Sequence, residues 1–196
     1  MMRIGGFLPL SLCDYPGRVA AVVFTRGCNF RCPFCHNGHL LDGEGAPEDP
    51  AADGVLARLA SLAARLQGVV VTGGEPTLQP ALADFLRRIR GLRLAIKLDT
   101  NGSRPDVLAA LLAARLLDFV AMDLKAPWPR YPELSGTACD VAALKRSVAL
   151  IAGSGLPHQF RTTRVTPLLS DADCEAITRQ VPGGSPHVFQ AFRPEQ

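Results

Sequence analysis

The chain has 196 residues, a formal net charge of +3 at pH 7 and 47% apolar residues. That is enough for a single domain, 1–196, with a sizeable core, and too little charge to argue for nucleic acid. No uncharged run reaches the roughly 18 residues of a membrane span, since the longest candidate, Val107 to Met122, carries Arg115 and Asp118.

In chain order, short β-rich runs alternate with helical patterns. Ile4 to Pro16 predicts a β extension ahead of the main fold (1–17). The opening only faintly imitates a signal peptide, because Pro9 interrupts it and Asp14-Tyr15-Pro16-Gly17 is no small-residue cleavage site. Arg18 to Thr25 predicts a buried strand and Asp42 to Pro50 a loop. Ala51 to Leu66 reads as a helix on its leucine spacing, and Gly68 to Thr72 as a strand. A helix from Pro80 to Arg90 follows, with proline at its start. Then come a strand at Leu92 to Asp99, a helix at Pro105 to Leu116 and a strand at Phe119 to Leu124. Asp140 to Ala152 reads as a helix with Asp140 as its N-cap. Pro157 to Val165 (strand), Asp171 to Gln180 (helix) and His187 to Phe192 (strand) complete the pattern. Six apolar strands separated by helices imply a parallel α/β sheet. A closed eight-fold barrel typically needs about 250 residues, so a partial (β/α)6 barrel over 18–193 is expected, with a flat doubly wound sheet as the alternative.

Cys28, Cys32 and Cys35 lie in one loop after the first of these strands, spaced C-x3-C-x2-C. Gly27, Asn29 and Pro33 argue against a helix there. A helix would also spread the outer Cα atoms over about 10 Å of axis. Two metal readings stay open on the loop alone: zinc, with His39 as a fourth ligand, or an iron–sulfur cluster with one open iron. Cys13, Cys139 and Cys174 are scattered and read as buried or neutral thiols, so a reducing cytoplasm suits the chain.

Ligands of parallel α/β folds bind at the carboxyl ends of strands. Gly73, Gly74 and Glu75 follow one strand; Asp99, Thr100 and Asn101 another; Asp123 and Lys125 close a third; Arg161, Thr163 and Gln190 lie on the last two. Singly, each has a plainer explanation: a turn at Gly-Gly-Glu-Pro or Asn101-Gly102, a structural ion pair at Asp123 and Lys125. Together they share one rim.

With the cysteine loop, the runs Gly5-Gly6-Phe7, Phe24 to Cys28, Cys35-His36-Asn37, Thr72 to Pro76, Asp99 to Gly102, Met122 to Lys125 and Phe189 to Phe192 make the chain resemble the radical S-adenosylmethionine (SAM) superfamily. Within it the chain looks like the glycyl-radical-enzyme activases, above all those serving anaerobic ribonucleoside-triphosphate reductase. The resemblance implies a partial barrel and one 4Fe–4S cluster on Cys28, Cys32 and Cys35, with SAM chelating the fourth iron. It implies SAM contacts from Phe34, Gly73, Gly74, Glu75, Asn101, Asp123, Lys125, Arg161, Thr163 and Gln190. It further implies a monovalent cation on Asp99, Thr100 and Asp123, as some activases hold. Reductive cleavage of SAM would yield a 5′-deoxyadenosyl radical that takes a glycine Cα hydrogen from the partner, anaerobic ribonucleotide reductase. Flavodoxin or ferredoxin would supply electrons. The cluster loop carries no ferredoxin-like insert, and a short C-terminus leaves one barrel side open. The alternatives are a radical SAM enzyme acting on a small molecule or peptide, in the manner of 7-carboxy-7-deazaguanine synthase, and a non-catalytic zinc module.

Overall fold

A computed structural model describes residues 2–192; Arg193, the expected end of the barrel, lies outside them. Seven strands form one sheet in the order β1 to β7: β1 (Ile4–Ser11), β2 (Ala20–Thr25), β3 (Gly68–Gly73), β4 (Ala95–Thr100), β5 (Phe119–Asp123), β6 (His158–Arg164) and β7 (His187–Ala191). Strand β1 pairs antiparallel with β2 and every later pair is parallel. The sheet does not close, so β1 and β7 are its two edges. The predicted extension is therefore an edge strand of the same sheet.

Strand alternation divides the interior in two. One face (Val23, Val71, Leu98, Val120, Met122, Phe160) packs on the helices α1 (Ala52–Leu62), α2 (Leu82–Gly91), α3 (Pro105–Ala113), α4 (Tyr131–Ser135), α5 (Val141–Ala152) and α6 (Asp171–Gln180). The concave face carries Ala20, Val22 and Val70, with Phe24, Ala95 and Phe119 beside them, and Tyr15 closes its lower end. The Tyr15 ring meets Phe119 edge-on at 5.9 Å. A Cβ on Gly68 would come within 3.0 Å of that ring.

The helix ends differ from the periodicity. The first helix stops at Leu62 instead of Leu66, because the chain must turn so that Gln67 can exchange hydrogen bonds with Val19. The second starts at Leu82 instead of Pro80, since a 3-10 turn over Pro76–Leu78 precedes it. The third ends at Ala113 instead of Leu116, where Arg115 takes a positive φ of 52°. Strand β4 starts at Ala95 instead of Leu92, after Arg93 at φ 61°. A turn at Trp128–Arg130 and helix α4 were not predicted at all. Asp140 and Ser170 cap α5 and α6 as their side chains allow, Asp140 accepting from the Ala143 N–H and Ser170 forming a capping box with Asp173. Of the thiols expected to be buried or neutral, Cys13 is exposed and Cys139 and Cys174 are half-buried, so none is fully buried; Cys13 sits at the hairpin end beside Ser11 and Asp14. No helix among the described residues is long and apolar enough to cross a membrane.

Candidate active site

The carboxyl ends of β2 to β7 surround a cavity of about 290 Å³. Cys28, Cys32, Cys35, Phe34, Gly73, Gly74, Glu75, Asp99, Thr100, Asn101, Asp123, Lys125, Arg161, Thr163 and Gln190 all line it. The sequence-predicted rim is thus one site. Asp14, His36, Asn37 and Thr72 line it too; they belong to motifs noted in the sequence, but no site role was assigned to them. His36 and Asn37 directly follow the last cysteine, which was the available signal.

The cysteine loop is held from two sides. The Gly74 N–H donates to Thr25 O and the Glu75 N–H to Gly27 O, both at 2.8 Å. A Cβ on Gly73 would lie 2.3 Å from Thr25 N, and one on Gly74 2.2 Å from Gly27 O. The two glycines are therefore required for packing against the cysteine loop, a need distinct from the predicted approach to a methionyl group. On the far side Arg31 N–H donates to Ser135 O at 2.7 Å, and Gly136, at φ 68°, would press a Cβ to 2.1 Å from Arg31 O.

Glu75 is 1% exposed. Its Oε1 accepts from Thr77 N–H (3.0 Å), the Thr77 hydroxyl and the Thr100 hydroxyl (2.8 Å), and its Oε2 from Asn101 N–H (2.7 Å). The carboxylate predicted to face a ligand amino group is a hub joining two strand ends. Burial raises its pKa and these donors oppose the rise. Asn101 also works within the protein: its amide donates to Asn29 Oδ1 at 3.0 Å and accepts from Ser103 N–H at 2.9 Å. Phe34 is buried in the wall, whereas Gln190 is exposed at the rim.

Below the cysteines runs a ladder of alternating charge. Lys97 Nζ donates to Asp99 Oδ1 (2.5 Å), and Arg161 donates to Asp99 Oδ2 (3.0 Å) and Asp123 Oδ1 (2.9 Å). Lys125 Nζ donates to Asp123 Oδ2 (3.4 Å). Burial raises the pKa of Asp123, but Arg161 and Lys125 outweigh it and hold the carboxyl down to about 2. Burial likewise pulls Lys125 down, yet Asp123 and the Cys32 thiol leave its pKa raised.

This arrangement does not fit the predicted monovalent cation. All four oxygens of Asp99 and Asp123 already face protein cations. The third expected ligand, Thr100, turns its hydroxyl to Glu75. Zinc fares no better: His39 is exposed outside the cavity, and no group of three His, Cys, Asp or Glu side chains among the described residues converges as a single ion would require. A cluster presents a different iron to each cysteine, so its ligands need not converge. The thiols suit iron in other ways. Burial pushes Cys28 up to about 11, with the Phe30 N–H partly offsetting it, and raises Cys32. A metal bound there takes them as thiolates and displaces the proton. The Phe30 N–H, 3.4 Å from Cys28 Sγ, supplies the kind of sulfur hydrogen bond that tunes clusters.

Comparison with known proteins agrees with this geometry. The radical SAM superfamily profile matches residues 22–180. A Methanocaldococcus jannaschii protein, provisionally named a glycyl-radical enzyme activating enzyme, is 30% identical over 98% of this chain and 80% of its own. The pyruvate formate-lyase-activating enzyme of Clostridium pasteurianum is 32% identical over 64% of this chain and 53% of its own. The 7-carboxy-7-deazaguanine synthase of Methanopyrus kandleri is 33% identical over 58% and 52%. The crystal structure of QueE from Escherichia coli superposes with a TM-score of 0.53 at 15% identity, covering 96% of this chain and 93% of that one. The chain is an enzyme of the radical SAM superfamily, the family that works with a 4Fe–4S cluster and SAM.

Proposed function

We propose that the chain is an activase that generates a glycyl radical on a partner enzyme, in the first instance anaerobic ribonucleotide reductase. The observation that carries the reading is the nearly end-to-end match to the M. jannaschii protein named for that activity. When bound, the cluster supplies the electron that cleaves SAM reductively.

In this reading Cys28, Cys32 and Cys35 hold three irons and leave one for SAM. Lys125, the only cation of the ladder that spends itself on a single, longer contact, 3.4 Å, meets the SAM carboxylate. Asp123 keeps that ammonium aimed. Phe34 excludes water beside the last cysteine. Gly73, Gly74, Glu75 and Asn101 act through the loops they lock together, and Arg161, Thr163 and Gln190 bound the pocket toward the open edge. The open side of the sheet leaves room for a macromolecular substrate, and a flavodoxin or ferredoxin is the matching electron donor.

The test is anaerobic reconstitution with SAM, reductant and a glycyl radical enzyme encoded in the same genome. The expected result is a glycine-centred EPR doublet, absent with Cys32→Ala. SAM cleavage with no protein radical on any such partner would sink the activase reading. It would favour small-molecule chemistry, which the synthase likeness supports.

A further inference from the structure

We propose that Lys97 is the fixed cation of this site, a positioning residue that neutralises Asp99 and so makes SAM binding independent of any added monovalent cation. Nothing in the sequence marked Lys97. It lies on the concave face in register with Val70, between Ala95 and Asp99, and pairs across to Phe119. Its side chain is 2% exposed and has one polar partner among the described residues, Asp99. Burying an ammonium costs more than a single close pair fully offsets. A methionine or leucine would suit this apolar layer at lower cost. The charge is explained by what stands above it.

Asp99 and Asp123 share Arg161, which cannot neutralise both. Lys125 serves Asp123 from the side of the cysteines, which leaves the second oxygen of Asp99 to Lys97. The ladder then holds three cations and two anions, one positive charge in surplus, beside a cavity that must accept a SAM carboxylate. An external cation would have to sit against three protein cations with no carboxylate oxygen to itself. Without Lys97 the guanidinium of Arg161 is drawn toward Asp99, its hold on Asp123 loosens, and Lys125 loses its orientation.

The experiment measures SAM binding to the anaerobic, iron-loaded protein by isothermal titration in KCl, NaCl and choline chloride at fixed ionic strength. The wild type is expected to give the same dissociation constant within about twofold in all three salts. Lys97→Met is expected to weaken SAM about tenfold, the size of one lost close charge contact. Lys97→Ala, which leaves a hole, should recover at least about fivefold with potassium or ammonium over choline. Tightening of wild-type binding by potassium over choline by about fivefold or more would overturn the proposal. So would a Lys97→Met protein that binds SAM like the wild type. Lys97→Met with Asp99→Asn removes both charges, so it is expected to bind SAM within about twofold of the wild type whether or not Lys97→Met folds alone; a tenfold loss in that double variant would overturn the proposal.

Discussion

Glu75 separates two kinds of importance that a motif cannot distinguish. As a ligand to SAM alone, its loss would spare stability. As a buried acceptor of four hydrogen bonds it holds the ends of β3 and β4 together. Glu75→Gln puts an amide NH2 against N–H and O–H donors. It is expected to destabilise the cluster-free protein by about 2–3 kcal/mol, read from urea denaturation. Unchanged stability would return Glu75 to a ligand-only role. Asp123 makes a prediction in pH. Its folded pKa is depressed to about 2, so its stabilisation is complete above the unfolded value near 4 and is lost as pH falls toward 2. Asp123→Asn should be less stable than wild type at pH 6 by about 1–2 kcal/mol, allowing for its partial exposure. The gap should close below pH 3 in the same denaturation series. At this scale the sequence was legible in residue choice and blind to direction. The motifs named the residues around the cavity, but Glu75, Asn101 and Thr100 turn toward neighbouring backbone, which only the folded loops decide.

Elements with long periodic patterns could be read; those made by one turn and two prolines could not. Tyr131–Ser135 has Pro132 inside it and Pro127 and Pro129 just before, which read locally as breaks. Proline is tolerated in a first helical turn, and here almost the whole helix is first turn. That short helix matters because Gly136 ends it in the left-handed region against Arg31. Gly136→Ala should displace the cysteine loop. Iron bound per reconstituted chain is expected to fall to less than about half, with thermal unfolding lowered by about 1–2 kcal/mol. Full iron occupancy would show that the loop does not lean on α4. The N-cap of α5 is the contrast: Asp140→Ala should cost about 1 kcal/mol and leave iron content unchanged.

Across the whole molecule, two cores share one sheet. The helix-covered face follows from apolar strands and was legible. The concave core was not, since Tyr15 arrives from outside the repeats and Lys97 looks like an ordinary strand residue until its neighbours are known. Tyr15→Ala should cost about 3 kcal/mol or more through the cavity it leaves, measured by chemical denaturation. A cost under 1 kcal/mol would mean the lower lumen collapses without the ring.

The strand-end loops hold one another through backbone amides and a buried carboxylate. Small metal-dependent domains take their shape from the metal, and chelators unfold them. Here the cysteine loop is tied to its neighbours by contacts of the chain itself, so the expected order of assembly is chain first and inorganic centre second. On that order, iron delivery is expected to be a docking event with little ordering entropy left to lose, and a chelator is expected to remove iron without unfolding the chain. The circular dichroism of the stripped protein should overlay that of the loaded one, and repeated cycles of chelation and reloading should return the same iron content each time.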